Sequence, residues 1–104
     1  MIVGYSVIFR NDEKTNEKIK EIYTWREALD KAKEKVDNKN KMYEEELRII
    51  SLIKSNSEEI CKQSGETIVY KIYQKGYGEL GNIYIISVKE DIIKEMEKIQ
   101  INKN

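Results

Sequence analysis

Thr67-Ile-Val-Tyr-Lys-Ile-Tyr-Gln74 and Asn82-Ile-Tyr-Ile-Ile-Ser-Val88, joined by Lys75-Gly-Tyr-Gly-Glu-Leu-Gly81, decide the fold of this chain. Both arms are rich in the β-branched and aromatic residues that pack well on a pleated surface. In the first arm Ile68, Tyr70 and Ile72 share one face, with Val69, Lys71 and Tyr73 on the other. In the second, Ile83 and Ile85 oppose Tyr84, Ile86 and Val88. A strand apolar on both faces belongs in the middle of a sheet. Two such strands around a glycine-bearing connection read as an antiparallel hairpin.

Working outward, residues 2–10 alternate as a strand, with Val3, Tyr5, Val7 and Phe9 on one face and Gly4, Ser6 and Arg10 on the other. Residues 17–24 resume extended character around Ile19, Ile22 and Tyr23, after the polar run Asn11–Asn16. The expectation is a first hairpin. Thr24-Trp-Arg-Glu27 then has the spacing of a capping box, in which hydroxyl and carboxylate each satisfy a free amide of the first helical turn. Trp25, Ala28, Leu29, Ala32 and Val36 recur at helical spacing behind it.

The apolar phase continues through Tyr43, Leu47 and Ile50, with Asp37-Asn-Lys-Asn-Lys41 in between. One unbroken helix from 25 to 62 would be about 57 Å long, against a radius of gyration of about 13 Å for a domain of this size. Two helices, broken near Asn38, are expected instead. The second carries Tyr43, Leu47, Ile49, Ile50, Leu52 and Ile53, is apolar on more than one side at Leu47–Ile53, and ends at Gly65. From Asp91 onward, Ile92, Ile93, Met96 and Ile99 mark a terminal helix. The expected fold is one α+β domain over residues 1–104. It is a two-layer sandwich in which two hairpins form a four-stranded antiparallel sheet, in the order ββααββα, with helices on one face.

Composition removes several chemistries. Lys and Arg number 19 against 19 Asp and Glu, so no net field draws in nucleic acid or an anionic membrane. The chain has no histidine, the commonest general base and metal ligand. Cys61 is the one cysteine, so neither an internal disulfide nor a Cys-rich zinc site can form. Met1–Arg10 has no basic n-region, and no run approaches the ~18 apolar residues of a membrane span. A cytoplasmic location is the expectation. The acidic runs Asp12-Glu13, Glu44–Glu46, Glu58-Glu59 and Glu90-Asp91 lack calcium-loop spacing. Most of them sit where they complement helix dipoles or face water. No cofactor, metal or catalytic set is read from the sequence.

Gly76-Tyr-Gly78-Glu-Leu-Gly81 has the spacing of a phosphate-binding glycine loop, but a dinucleotide site needs a helix after it, and here a strand comes next. The run resembles the glycine-rich loop of protein kinases, over seven residues only. No His-Arg-Asp or Asp-Phe-Gly sequence lies beyond it, and 104 residues cannot hold that fold. The plain reading is a flexible hairpin connection using glycine at positive φ; the other is a mobile recognition loop, with Tyr77 and Leu80 as apolar tips and Lys75 and Glu79 as its rim. Tyr70, Tyr73 and Tyr84 add an aromatic sheet face.

The expected function is therefore binding without catalysis, through protein–protein contacts at Tyr70, Tyr73, Lys75, Tyr77, Leu80 and Tyr84. Small size, no catalytic set and no export signal suggest an inhibitor or adaptor; the absence of proline and the abundance of Lys, Glu, Ile and Asn suggest an AT-rich bacterial or phage genome, and hence an anti-defence type from a phage or mobile element. The alternative is a module for single-stranded nucleic acid or a nucleotide, using the tyrosine face and the 75–81 loop. The apolar excess at Leu47, Ile50 and Ile53 suggests a homodimer.

Overall fold

Two central strands carry the molecule. A computed structural model describes residues 1–11, 19, 21–43 and 46–90. Its elements are β1 (Ile2–Arg10), α1 (Trp25–Tyr43), β2 (Leu47–Ser51), α2 (Ser57–Ser64), β3 (Glu66–Gln74) and β4 (Gly78–Lys89). The four strands form one antiparallel sheet in the order β1-β4-β3-β2. This is the expected α+β class, with the β3–β4 hairpin at its centre. The terminal helix expected from Asp91 lies outside the described residues, as do residues 12–18 of the first connection.

The source of the fourth strand differs from the sequence reading. Tyr23 makes only a single bridge, exchanging both backbone hydrogen bonds with Tyr5 at 2.7 and 2.8 Å. The fourth strand is instead β2, inside the segment read as the second helix. The chain does not break near Asn38, and α1 runs on to Tyr43. The physical reason lies in Leu47-Arg-Ile-Ile-Ser51. Its apolar residues fit a helical stripe, but Ile49 and Ile50 are β-branched and the segment can pair along β3. Pairing places Ile49 beside Ile72 and Ile50 beside Lys71.

Both described helices pack on one face of the sheet. Ala28, Ala32 and Val36 of α1 and Cys61 of α2 share a core with Tyr5, Val7, Val69, Ile72, Ile83 and Ile85. Ala28 and Ala32 are completely buried, so the α1 backbone lies close to the sheet. The expected capping box begins this helix. The Glu27 amide donates to Thr24 Oγ1 at 3.2 Å, and the Thr24 amide donates to Glu27 Oε1 at 3.0 Å. The bond from the Thr24 amide favours the charged carboxylate and holds the Glu27 pKa below its ordinary value. The edge of the Trp25 ring meets Tyr5 at 5.2 Å between centroids.

α2 is tied to β4 through buried Ser87. The Ser87 amide donates to Gly65 O at 2.8 Å, and its hydroxyl lies 3.3 Å from both Cys61 O and Gly65 O. These contacts take up carbonyls that a helix C-terminus otherwise leaves free.

Two bulges set the facing of the hairpin. One lies between Ile68 and Tyr70 of β3. It buries Val69 completely and puts Ile68 on the face away from the helices. The simple alternation read from the sequence, with Ile68, Tyr70 and Ile72 together, therefore fails at Val69. The second bulge leaves Leu80 of β4 unpaired, packed partly buried against the core. Beside it, Gly81 has φ +153°, and a Cβ there would stand 2.7 Å from both Arg10 O and Phe9 Cζ. Lys39 Nζ covers the same Phe9 ring at 4.1 Å.

Gly81→Ala is expected to cost about 2–4 kcal/mol of stability, from backbone strain plus overpacking against a backbone carbonyl. Gly78→Ala, with φ +102° and no atom within 4 Å of the new Cβ, is expected to cost about 1 kcal/mol. Urea denaturation of the two variants measures the difference.

Candidate binding surface

Three residues close the β3–β4 hairpin. The Tyr77 amide donates to Gln74 O at 3.1 Å, and the Lys75 amide donates to Glu46 O at 2.9 Å. Gly76 stands at φ +79°, a conformation a turn of this shape needs and side chains resist. The glycine run is thus a hairpin connection leading into a strand, not into a helix. Tyr77 projects from the turn with 67% of its surface exposed, the largest exposed aromatic among the described residues.

Beside the turn lies a shallow cavity of about 320 Å³, lined by Glu46, Leu47, Arg48, Tyr73, Gln74 and Lys75. Gln74 Nε2 donates to Glu46 Oε2 at 3.2 Å and fixes its rim. The cavity therefore carries an aromatic ring, both signs of charge and an amide, a mixture suited to polar peptide surfaces. Its wall includes Arg48 and Glu46, which the sequence reading missed. Arg48 is a lone cation inside an apolar run, and its facing becomes readable only once that run is a strand.

The six expected binding residues fall in three places. Tyr73, Lys75 and Tyr77 gather at the turn and its cavity. Tyr84 sits on the sheet face away from the helices, with the Arg10 guanidinium 5.0 Å from its ring centroid and Asn82 Nδ2 3.5 Å from its hydroxyl. Tyr70 and Leu80 pack partly buried against the core, on the helix side. Plain alternation puts Tyr70 and Tyr73 on opposite faces, and the bulge at Leu80 turns that residue away from the face of Tyr84 and toward the core.

The second face is mixed. The register places Arg10, Arg48, Ile50, Ile68, Lys71, Tyr73, Tyr84 and Ile86 on it, with Ile8 and Val88 buried toward the β1–β4 side. Arg10 is paired with Glu66 at 3.3 Å. Its Nε and Asn82 Oδ1 are buried without hydrogen-bond partners.

No cluster of His, Cys, Asp or Glu that could hold a metal occurs among the described residues. Cys61 Sγ lies 3.4 Å from Ile85 O, inside the core. Burial pushes its thiol pKa up, away from the thiolate that a nucleophile requires. Among the described residues, no helix is long and apolar enough to cross a membrane. Comparison with family models, with curated proteins and with solved structures finds no match to this chain. The geometry alone bears on function.

The closed edge of the sheet has its own pH signature. Tyr23, which bridges to Tyr5, donates its hydroxyl to the Glu21 carboxylate, and this pushes its pKa up from 10.0 to about 12. A folded pKa above the unfolded value means that the native state holds the proton longer. The stability this bond contributes is complete below pH 10 and lost as pH rises through about 12. Tyr23→Phe is expected to flatten the fall in stability over that interval, measured by denaturant titration at successive pH values. An identical fall in the variant would contradict the assignment.

Proposed function

We propose that this protein binds other proteins without catalysis, docking through the β3–β4 turn and the cavity beside it. The observation that carries the reading is Tyr77. It is an aromatic ring held in water at the tip of a glycine turn, adjoining a cavity lined by Tyr73, Arg48 and Lys75. Exposed aromatic and arginine side chains around a concavity are the usual anchors of protein interfaces. The chain has no imidazole base, and its one thiol, Cys61, is buried. An inhibitor or adaptor role in a phage or other mobile element, of anti-defence type, is the narrower proposal. It rests on small size and composition.

A second reading is favoured by one feature of the other sheet face. Arg10, Arg48 and Lys71 lie among Tyr73 and Tyr84 there, the combination of cation and stacking surface that single-stranded nucleic acid uses. Glu66 on the same face and the balanced net charge weigh against it.

Affinity capture from bacterial lysate with the wild-type chain and Tyr77→Ala in parallel tests the proposal. The expected result is a stoichiometric protein recovered by the wild type and depleted at least about tenfold by the variant, the loss of one interface anchor, with thermal stability unchanged. Equal recovery by both removes the turn from the site. Fluorescence anisotropy with a single-stranded oligonucleotide, at low and physiological salt, serves the second reading. Tight binding that weakens with salt would replace the first reading with it.

A further inference from the structure

The two edges of the sheet are treated differently. Along β1, Tyr23 occupies the outer hydrogen-bonding position opposite Tyr5. Along β2, no described residue does so. The register fixes which groups are left. Lys75 N bonds Glu46 O and Leu52 N bonds Val69 O, so the even-numbered residues 46, 48, 50 and 52 face β3. In an antiparallel ladder the intervening residues then turn their backbone groups the other way. The amides and carbonyls of Leu47, Ile49 and Ser51 therefore point outward in a row.

Natural monomers blunt such an edge with proline, lysine, a bulge or a covering segment. β2 has no proline or lysine, its pairing with β3 is regular, and only Arg48 interrupts it. The core is also unfinished on this side. Ile72, Ile83, Ile85 and Val69 of the inner strands are fully buried, whereas Leu47, Ile49 and Ile50 are only partly so.

We propose that β2 pairs antiparallel with β2 of a second copy of this chain, about a two-fold axis at Ile49. In that register Ile49 meets Ile49, Leu47 meets Ser51, and every outward amide and carbonyl of the three residues gains a partner in both copies. On the second face Arg48 stands opposite Ile50, whose side chain packs along the arginine stem. Sliding the pair by one step toward the amino end sets Arg48 against Arg48, an unfavourable direct opposition of like charges. Sliding it the other way strands the outward groups of Leu47. The strand is thus self-complementary in one register, which is why a second copy is the occupant. The dimer joins two four-stranded sheets into one of eight. It also seats Ser51 of the second copy next to Leu47, at the wall of the cavity beside the turn.

Sedimentation and amide exchange on the full chain test this together. Between about 5 and 200 μM, a range that brackets a dissociation constant of tens of micromolar, the chain is expected to pass from monomer to dimer. Over the same range, exchange of the Leu47, Ile49 and Ser51 amides slows severalfold, while that of Arg48 and Ile50 stays constant. Ser51→Pro removes an outward donor at an exposed position without touching the β2–β3 ladder, and is expected to abolish the dimer with its far-ultraviolet circular dichroism unchanged. R48C/I50C places thiols across non-hydrogen-bonded positions about 4.5 Å apart at Cα, and is expected to give a covalent dimer on mild oxidation. A chain that stays monomeric throughout, a dimer that Ser51→Pro leaves intact, or uniform exchange at all five amides overturns pairing through β2. A dimer in which R48C/I50C does not crosslink overturns the register.

Discussion

Everything in this fold hangs on the close approach of α1 to the sheet. Ala28 and Ala32 present almost no side chain, so the helix backbone settles onto Tyr5, Val7, Ile83 and Ile85. Larger residues at either position would lift α1 and open the core. That seating has consequences at both ends of the helix. Trp25 comes against Tyr5, and Lys39 comes over Phe9. Phe9 in turn occupies the space that Gly81 leaves by having no Cβ. The second helix is fastened separately, through buried Cys61 and the hydrogen bonds of Ser87. The core is compact because its helix-side residues are small and its sheet-side residues are branched.

Among the described residues, the helices pack on one face of the sheet. The hairpin turn, the cavity beside it and the β2 edge lie next to one another, away from the Tyr5–Tyr23 bridge. Interaction surfaces commonly sit on loops held by a rigid scaffold, and the β3–β4 pair would be that scaffold for the proposed docking turn. The same glycines that allow the turn keep its tip free of packing, which is why Tyr77 stays in water while Tyr5 does not.

The sequence was legible where one signal acted alone. The hairpin of β3 and β4, the central place of β4, the strand at 2–10 and the Thr24–Glu27 cap all come from local pattern, and all are present. It was not legible where two patterns competed. Leu47–Ser51 keeps the helical phase of the preceding stripe, yet its backbone pairs with β3; a long-range partner decides, and no local window contains it. The bulges at Val69 and Leu80 are a second such case. A single extra residue reverses the facing of the strand beyond it, so Ile68 parts from Tyr70 and Ile72, and Leu80 turns toward the core instead of sharing a face with Tyr84. Alternation cannot reveal this, because both faces of the hairpin are apolar.

The β2 edge, the cavity wall and the proposed dimer register all depend on the conformation of Leu47–Ser51. Backbone carbon-13 secondary shifts of these five residues in the intact chain measure that conformation directly. Strand-type shifts are expected throughout, with lowered Cα and raised Cβ values at Ile49 and Ile50. A continuous helical signature from Tyr43 through Ile53 would contradict an edge strand here.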